Sequence, residues 1–139
     1  MIRYVIDASV IGPLLFDDES SDLLPMLPEA LARGECIVPS HWRIEVANQL
    51  ISGVRRKRAT SAEAAHILAD LAQLPVEIDG LTAERCWSRT YDLATLHKLT
   101  IYDAAYLELA ERRSLTLVSA DGDLVKVAHA VALPVIAPA

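Results

Sequence analysis

Leu115-Thr116-Leu117-Val118, followed at once by Ser119-Ala120-Asp121-Gly122, is the most readable stretch of this 139-residue chain. An apolar run that breaks off into small, turn-forming residues reads as a short buried strand leading into a last short helix. Working outward, the same arrangement recurs near the N-terminus, where Arg3-Tyr4-Val5-Ile6 stops at Asp7, and again where Ile37-Val38 meets Pro39 and Ser40. Val76-Glu77-Ile78, after Pro75, and Val135-Ile136, an edge strand ended by Pro138, add two weaker runs.

The segments between these runs have helical spacing. Residues 9–33 carry leucines at that spacing, with Pro13, Pro25 and Pro28 limiting helix length and Gly34 as a stop, so two short helices are expected. Ser40 is expected to cap a helix that turns Ile44, Ala47, Leu50, Ile51 and Val54 inward. Thr60 and Glu63 form a capping box for the next helix, with the run from Arg55 to Arg58 as the turn between the two. A further helix should run from Thr82 to about His97, and Asp103 should head another that ends near Arg112 and Arg113. Short, uniformly apolar strands separated by helices imply an α/β/α sandwich around a central parallel sheet of four to five strands. No repeat, linker or low-complexity tract interrupts residues 1–139, which are expected to form one domain.

Composition narrows the class. With 53% hydrophobic residues the chain can bury a real core, and no apolar run reaches the roughly 20 residues of a membrane span. The N-terminus lacks a basic segment leading into a cleavable apolar stretch, so a cytoplasmic protein is expected. Cys36 and Cys86 sit among apolar neighbours and read as reduced, buried thiols. The net charge of -6, from 19 acidic and 13 basic residues, argues at first sight against a phosphate-rich partner. Carboxylates gathered around divalent cations would remove that conflict, while an ordinary acidic surface would leave it standing.

Ligands of open parallel sheets gather outside the carboxyl ends of the strands, where Asp7 and Asp121 stand. Glu45, near the start of the helix after the second strand, and Asp103, at the head of the helix before the Leu115 strand, lie toward the same edge. Four bare carboxylates at close range repel one another and take up protons, so such a cluster makes sense with hard, oxygen-seeking cations such as Mg²⁺ or Mn²⁺. Taken one at a time the residues are ordinary: Asp7 as a helix cap, Asp103 as a helix-dipole partner, Asp121-Gly122 as a turn, Glu45 as a solvated acid. Glu45 is the most telling, since a carboxylate between Ile44 and Val46, close to Trp42, needs a partner. Spacing alone leaves both readings open.

Val5-Ile6-Asp7-Ala8-Ser9-Val10, Val38-Pro39-Ser40 with Glu45-Val46-Ala47-Asn48, Ile101-Tyr102-Asp103-Ala104-Ala105-Tyr106 and Leu117-Val118-Ser119-Ala120-Asp121 resemble PIN-domain nucleases, in order and spacing, along nearly the whole chain. More narrowly the chain is similar to the VapC toxins of toxin-antitoxin modules. The resemblance implies that Asp7, Glu45, Asp103 and Asp121 are metal-binding acids. It makes Ser9 and Ser119 their polar neighbours, Ser119 standing where the family often has Thr. Asp123 could also reach the metal or replace Asp121 in part, although a surface turn suits it as well. The implied activity is metal-dependent hydrolysis of RNA phosphodiesters as the toxin of a type II system, with Mg²⁺ or Mn²⁺ as cofactor. A cognate VapB-type antitoxin and homodimerisation are implied too. Leu14, Leu15, Leu23, Leu24 and Leu27 could offer the groove or dimer face, or belong to the core.

Arg55, Arg56, Lys57 and Arg58 form the one basic run, suited to phosphate, to an acidic partner, or to nothing beyond solvent. His41 lies one turn before Glu45 but lacks the matching His or Cys set of a transition-metal site. His66, His97 and His129 are scattered. Trp42, Trp87, Tyr102 and Tyr106 could stack on bases or fill the core. Two competing readings remain: a receiver-like Mg²⁺-binding signalling domain, which needs a phosphoacceptor Asp and a Lys after a later strand, and a PIN-fold binding module without catalysis. Serine-hydrolase, P-loop and zinc-peptidase motifs are absent.

Overall fold

The computed structural model describes residues 3–19 and 24–138. Five strands, Tyr4–Ile6 (β1), Cys36–Val38 (β2), Glu77–Ile78 (β3), Thr116–Val118 (β4) and Val135–Ile136 (β5), form one parallel sheet in the order β3-β2-β1-β4-β5. In register, Val5 stands between Ile37 of β2 and Leu117 of β4, so β1 is the middle strand. Val5, Ile6, Ile37, Val38, Leu117 and Val118 are all fully buried, as expected of strands covered on both faces. Glu77 and Ile78 are exposed and Val135 and Ile136 half-buried, which is why these edge runs were the weakest in sequence.

Eight helices lie among the described residues: Gly12–Leu15 (α1), Leu27–Ala32 (α2), Trp42–Arg55 (α3), Ser61–Ala72 (α4), Thr82–Arg85 (α5), Arg89–His97 (α6), Ile101–Arg113 (α7) and Gly122–Ala130 (α8). A 3-10 turn, Ala8–Val10, follows β1 directly. Because strand order moves one way from β1 to β3 and back from β3 to β5, right-handed crossovers set α1–α4 on one face and α5–α8 on the other. α7 is the central helix of its layer, packed on β1, β4, α6 and α8, and every residue from Ala104 to Ala110 is buried. Among these, Glu108 is tolerated because Arg112 pairs with it at 2.8 Å and with the buried Asp79 at 2.7 Å.

The capping box of Thr60 and Glu63 forms as expected, and Gly34 ends α2 in the left-handed conformation at φ 73°. Leu15, Leu24 and Leu27 belong to the core and Leu14 packs on it, while Leu23 lies outside the described residues. Both cysteines are free; Cys36 is buried, and Cys86 only half so.

Three expectations are corrected. The Thr82–His97 helix is two helices, because the Ser88 hydroxyl takes the Arg85 carbonyl and its backbone leaves the helical region at φ -131°, ψ -107°. Ser40 does not cap α3: its N–H donates to Thr82 Oγ1 at 3.0 Å, and the helix starts after His41 without a side-chain cap. The inward stripe of α3 is Trp42, Val46, Leu50 and Gly53, whereas Ile44 and Ile51 are 71% and 48% exposed. Burial of the Trp42 indole sets the helix's rotation, and the expected stripe had left it out.

Candidate active site

β1 ends one residue before Asp7, and the pairing of β1 with β4 continues through the Asp7 N–H, which donates to Val118 O at 2.9 Å. The Asp7 carboxylate therefore emerges beside the end of β4. Its Oδ2 accepts from Ser9 Oγ and from Ser119 Oγ, each at 2.8 Å. Ser9 Oγ in turn accepts from the Ala120 N–H, and Ser119 Oγ from the Asp121 N–H, both at 3.0 Å. Two hydroxyls thus lock Asp7 to the β4–α8 loop, a role consistent with the supporting part expected of Ser9 and Ser119. Burial raises the Asp7 carboxyl above its ordinary pKa; the serine hydrogen bonds oppose this, and Glu45 adds to it.

Glu45 enters from the first turn of α3. Its Oε1 accepts from the Tyr106 hydroxyl, which reaches it from the buried middle of α7. His41 Nε2 stands 3.2 Å from the same oxygen but out of line for a hydrogen bond, so their attraction requires a protonated ring. Burial pushes the Glu45 carboxyl up, yet His41 and the Tyr106 hydroxyl more than offset it and hold it below the usual value. Tyr106 is shifted the opposite way, upward, by its own burial and then by Glu45, so it remains a proton donor.

Asp103 sits in the first turn of α7, where its N–H is capped by Thr100 Oγ1 at 3.1 Å. Its carboxyl is raised from 3.8 to about 6, first by burial and then by the negative fields of Asp121, Asp7 and Glu45. Asp121 caps α8, accepting from the Leu124 N–H at 3.0 Å, so the ordinary reading of this residue also holds. The four acids therefore lie within one electrostatic neighbourhood at the carboxyl edge of the sheet. Asp123, one residue into α8, is exposed.

Oxygen donors with uncompensated charge suit a hard divalent cation, and no Lys or Arg is among the groups shifting Asp7 or Asp103. Among the described residues, however, no three His, Cys, Asp or Glu side chains stand together closely enough to hold one ion as they lie. The fit thus rests on donor chemistry and charge, with side-chain rotation or bridging water left to complete a coordination shell.

A polar cleft of about 260 Å³ leads away from Ser9 past Asn48 and Ser52 of α3 to Arg56 and Arg58. An apolar pocket of about 200 Å³ opens on the other side of Ser9, lined by Val10, Leu14, Leu27 and Pro138. The basic run is not uniform. Arg55, Arg56 and Lys57 are exposed, but Arg58 pairs with Asp18 at 2.8 Å and Glu19 at 2.6 Å and lies 4.0 Å above the Phe16 ring. The sequence offered Tyr106 as a base-stacking or core side chain, not as the hydroxyl that holds Glu45. The only signal of that role was a Tyr three residues after Asp103, on the helical face that packs inward.

Fold and acidic pocket together define a PIN domain: residues 4–130 match that family, and the chain belongs to it. Within it, the chain is 33% identical over 134 residues to Ribonuclease VapC3 of Mycobacterium tuberculosis, covering 93% of this chain and 92% of that protein. Ribonuclease VapC3 of Pyrobaculum aerophilum is 28% identical, over 96% of this chain and 100% of that one. The crystal structure of Mycobacterium tuberculosis VapC20, described as a sarcin-ricin loop cleaving toxin, shares the fold at a TM-score of 0.61 and 14% identity, over 89% of this chain and 94% of its own. FitAcB from Neisseria gonorrhoeae does so at 0.63 and 15%, over 96% of each. Membership of the PIN family removes the receiver-like alternative.

Proposed function

We propose that this chain is a divalent-cation-dependent endoribonuclease, a single PIN domain acting as the toxin of a type II toxin-antitoxin pair. The observation that carries the reading is the set of uncompensated carboxylates around Asp7, joined to 33% identity with a ribonuclease across nearly the full length of both chains. Asp7, Glu45, Asp103 and Asp121 would hold Mg²⁺ or Mn²⁺. When bound, such an ion activates water for attack on a phosphodiester and neutralises the phosphate oxygens.

The chain's own residues prepare that site. Ser9 and Ser119 both donate to Asp7 Oδ2, which fixes the carboxylate plane and leaves Oδ1 clear of side-chain donors among the described residues. Tyr106 fixes Glu45 in the same way, so two acids on different elements keep their orientation before any ligand arrives. Loading the site with cations would also relieve the repulsion that raises Asp103. Arg56, which lines the far end of the polar cleft, and its exposed neighbours Arg55 and Lys57 are suited to RNA phosphates, and Asp123 to a supporting place at the rim.

A nuclease that attacks its own cell's RNA requires a restraining partner, and a VapB-type antitoxin is the partner the family offers. The apolar pocket beside Ser9 suits an antitoxin's apolar side chain, close enough to the acids to block them. A homodimer in the cytoplasm completes the proposal. Four acidic positions and their hydroxyl supports argue against a module that has lost catalysis.

The deciding experiment is cleavage of structured and single-stranded RNAs by the purified protein with Mg²⁺, with Mn²⁺, with chelator, and by Asp7→Asn. Metal-dependent cuts that vanish in Asp7→Asn are expected. Cleavage that persists in chelator, or in Asp7→Asn, would overturn the assignment.

A further inference from the structure

Tyr102 precedes Asp103 in the first turn of α7, yet 59% of it is exposed. Exposure of that much aromatic surface is ordinary on a helix far from any site. Here the residue is the chain neighbour of Asp103, and its ring is held through His41, which stands 3.2 Å from the Glu45 carboxylate. His41 packs against the ring in a T-shaped contact, with centroids 5.7 Å apart and planes at 60°. The His41 side chain, only 16% exposed, makes the same kind of contact with Tyr106 at 5.2 Å, and Tyr106 is tied to Glu45. The backbone beneath Tyr102 is fixed by the Thr100 cap. A T-shaped contact covers at most one face of a ring, so Tyr102 presents a positioned, largely uncovered aromatic surface at the rim of the acids.

We propose that Tyr102 is a base-stacking platform for a single-stranded RNA nucleobase flanking the scissile phosphate. The proposal rests on the ribonuclease reading above. Charge supports it as well as geometry. The chain carries a net charge of -6, Asp7 and Asp103 are crowded by like charges, and Arg58, at the end of the cleft, is already engaged by Asp18 and Glu19. Attraction to the RNA backbone is therefore left to the exposed Arg55, Arg56 and Lys57, and close to the acids themselves affinity has to come from contacts that do not depend on positive charge. Stacking supplies such a contact, tolerates any base because each has a π face, and weakens little with salt. Trp87 and Tyr91 are also exposed, at 95% and 60%, but they belong to the α5–α6 segment and have no site carboxylate next to them in the chain.

The test compares wild type, Tyr102→Phe and Tyr102→Leu on short single-stranded RNAs with Mg²⁺, reading kcat and KM separately. In parallel, fluorescence of 2-aminopurine placed at successive positions of the same RNAs reports stacking. Tyr102→Phe should match wild type. Tyr102→Leu should raise KM roughly ten-fold with kcat within about two-fold, and should lose the 2-aminopurine quenching at the position beside the cut. An unchanged KM in Tyr102→Leu, with RNA still cleaved, would overturn the platform and leave the ribonuclease reading intact. A loss confined to kcat would show that Tyr102 only steadies α7, and a changed oligomeric state with unchanged KM would assign the ring to a protein contact; either overturns the proposal. No cleavage of any RNA by wild type would sink both readings together.

Discussion

Replacing Asp103 by Asn should stabilise the metal-free protein at neutral pH. Asp103 titrates near 3.8 when unfolded and near 6 when folded, because burial and the fields of Asp121, Asp7 and Glu45 disfavour its charge. Below about pH 3.8 the group is protonated in both states and contributes nothing to the pH dependence. As pH rises through the interval to about 6, the unfolded chain releases its proton first, and folding becomes progressively less favourable. Above about pH 6 the full cost is present. A shift of this size corresponds to about 3 kcal/mol at full strength. Asp103 is only half-buried, so solvent screening reduces the expected cost to about 1–2 kcal/mol. In chelator at pH 7.5, Asp103→Asn should therefore melt roughly 3–8 °C above wild type, and at pH 4 the two should melt together. Saturating Mg²⁺ should reverse the order, because wild type gains binding energy that the Asn variant lacks. Thermal unfolding by circular dichroism, in parallel with and without the metal, reads all three conditions. Equal melting temperatures in chelator at pH 7.5 would refute the idea that the four acids share one repulsive neighbourhood.

Tyr106→Phe removes the hydroxyl that orients Glu45, and should cost about 1 kcal/mol in urea unfolding and several-fold in RNA cleavage rate; full activity would mean Glu45 needs no such support. Arg112→Ala leaves Asp79 and Glu108 buried without their cation, so a loss of about 3–5 kcal/mol is expected in the same assay, with a small effect counting against the burial of that trio. In Gly53→Ala the new Cβ would meet the Phe16 ring at 2.2 Å, and helix propensity recovers only part of the overpacking. The net loss should be about 1–2 kcal/mol, and a stabilised variant would show that Phe16 is free to move.

Much of this architecture could be read from the chain because its inner strands are short, apolar and closed by acids or turn residues. Val5-Ile6-Asp7 and Leu117-Val118-Ser119 carry both the sheet and the site in a few residues, and all three buried runs were found. Where a side chain's role depended on rotation about a helix, the sequence was silent. Ile44 and Ile51 have the right spacing for a core stripe, and only packing reveals that Trp42 claims the inward position. The break at Ser88 was hidden for a similar reason, since one hydroxyl competing for one carbonyl leaves no periodic trace. In the site, the acids were visible as types at strand and helix ends. The hold of Tyr106 on Glu45 was not, because the hydroxyl is aimed across the fold at a residue 61 positions away. Likewise the commitment of Arg58 to Asp18 and Glu19 depends on a turn bringing together residues some 40 positions apart.

The central position of β1 also bears on when this molecule becomes active during synthesis. Tyr4–Ile6 is made before the other four strands, but one of its two flanking strands, β4, begins only at Thr116. Until then the middle of the sheet has an open side, and Asp7 lacks the Ser119 hydroxyl 112 residues further on. Asp121 arrives later still. A nascent chain stalled before β4 therefore carries Asp7, Glu45 and Asp103 but neither the Ser119 hydroxyl that fixes Asp7 nor the fourth acid, Asp121. For an enzyme directed at RNA, a chain cut short before β4 is therefore left without a complete acidic pocket.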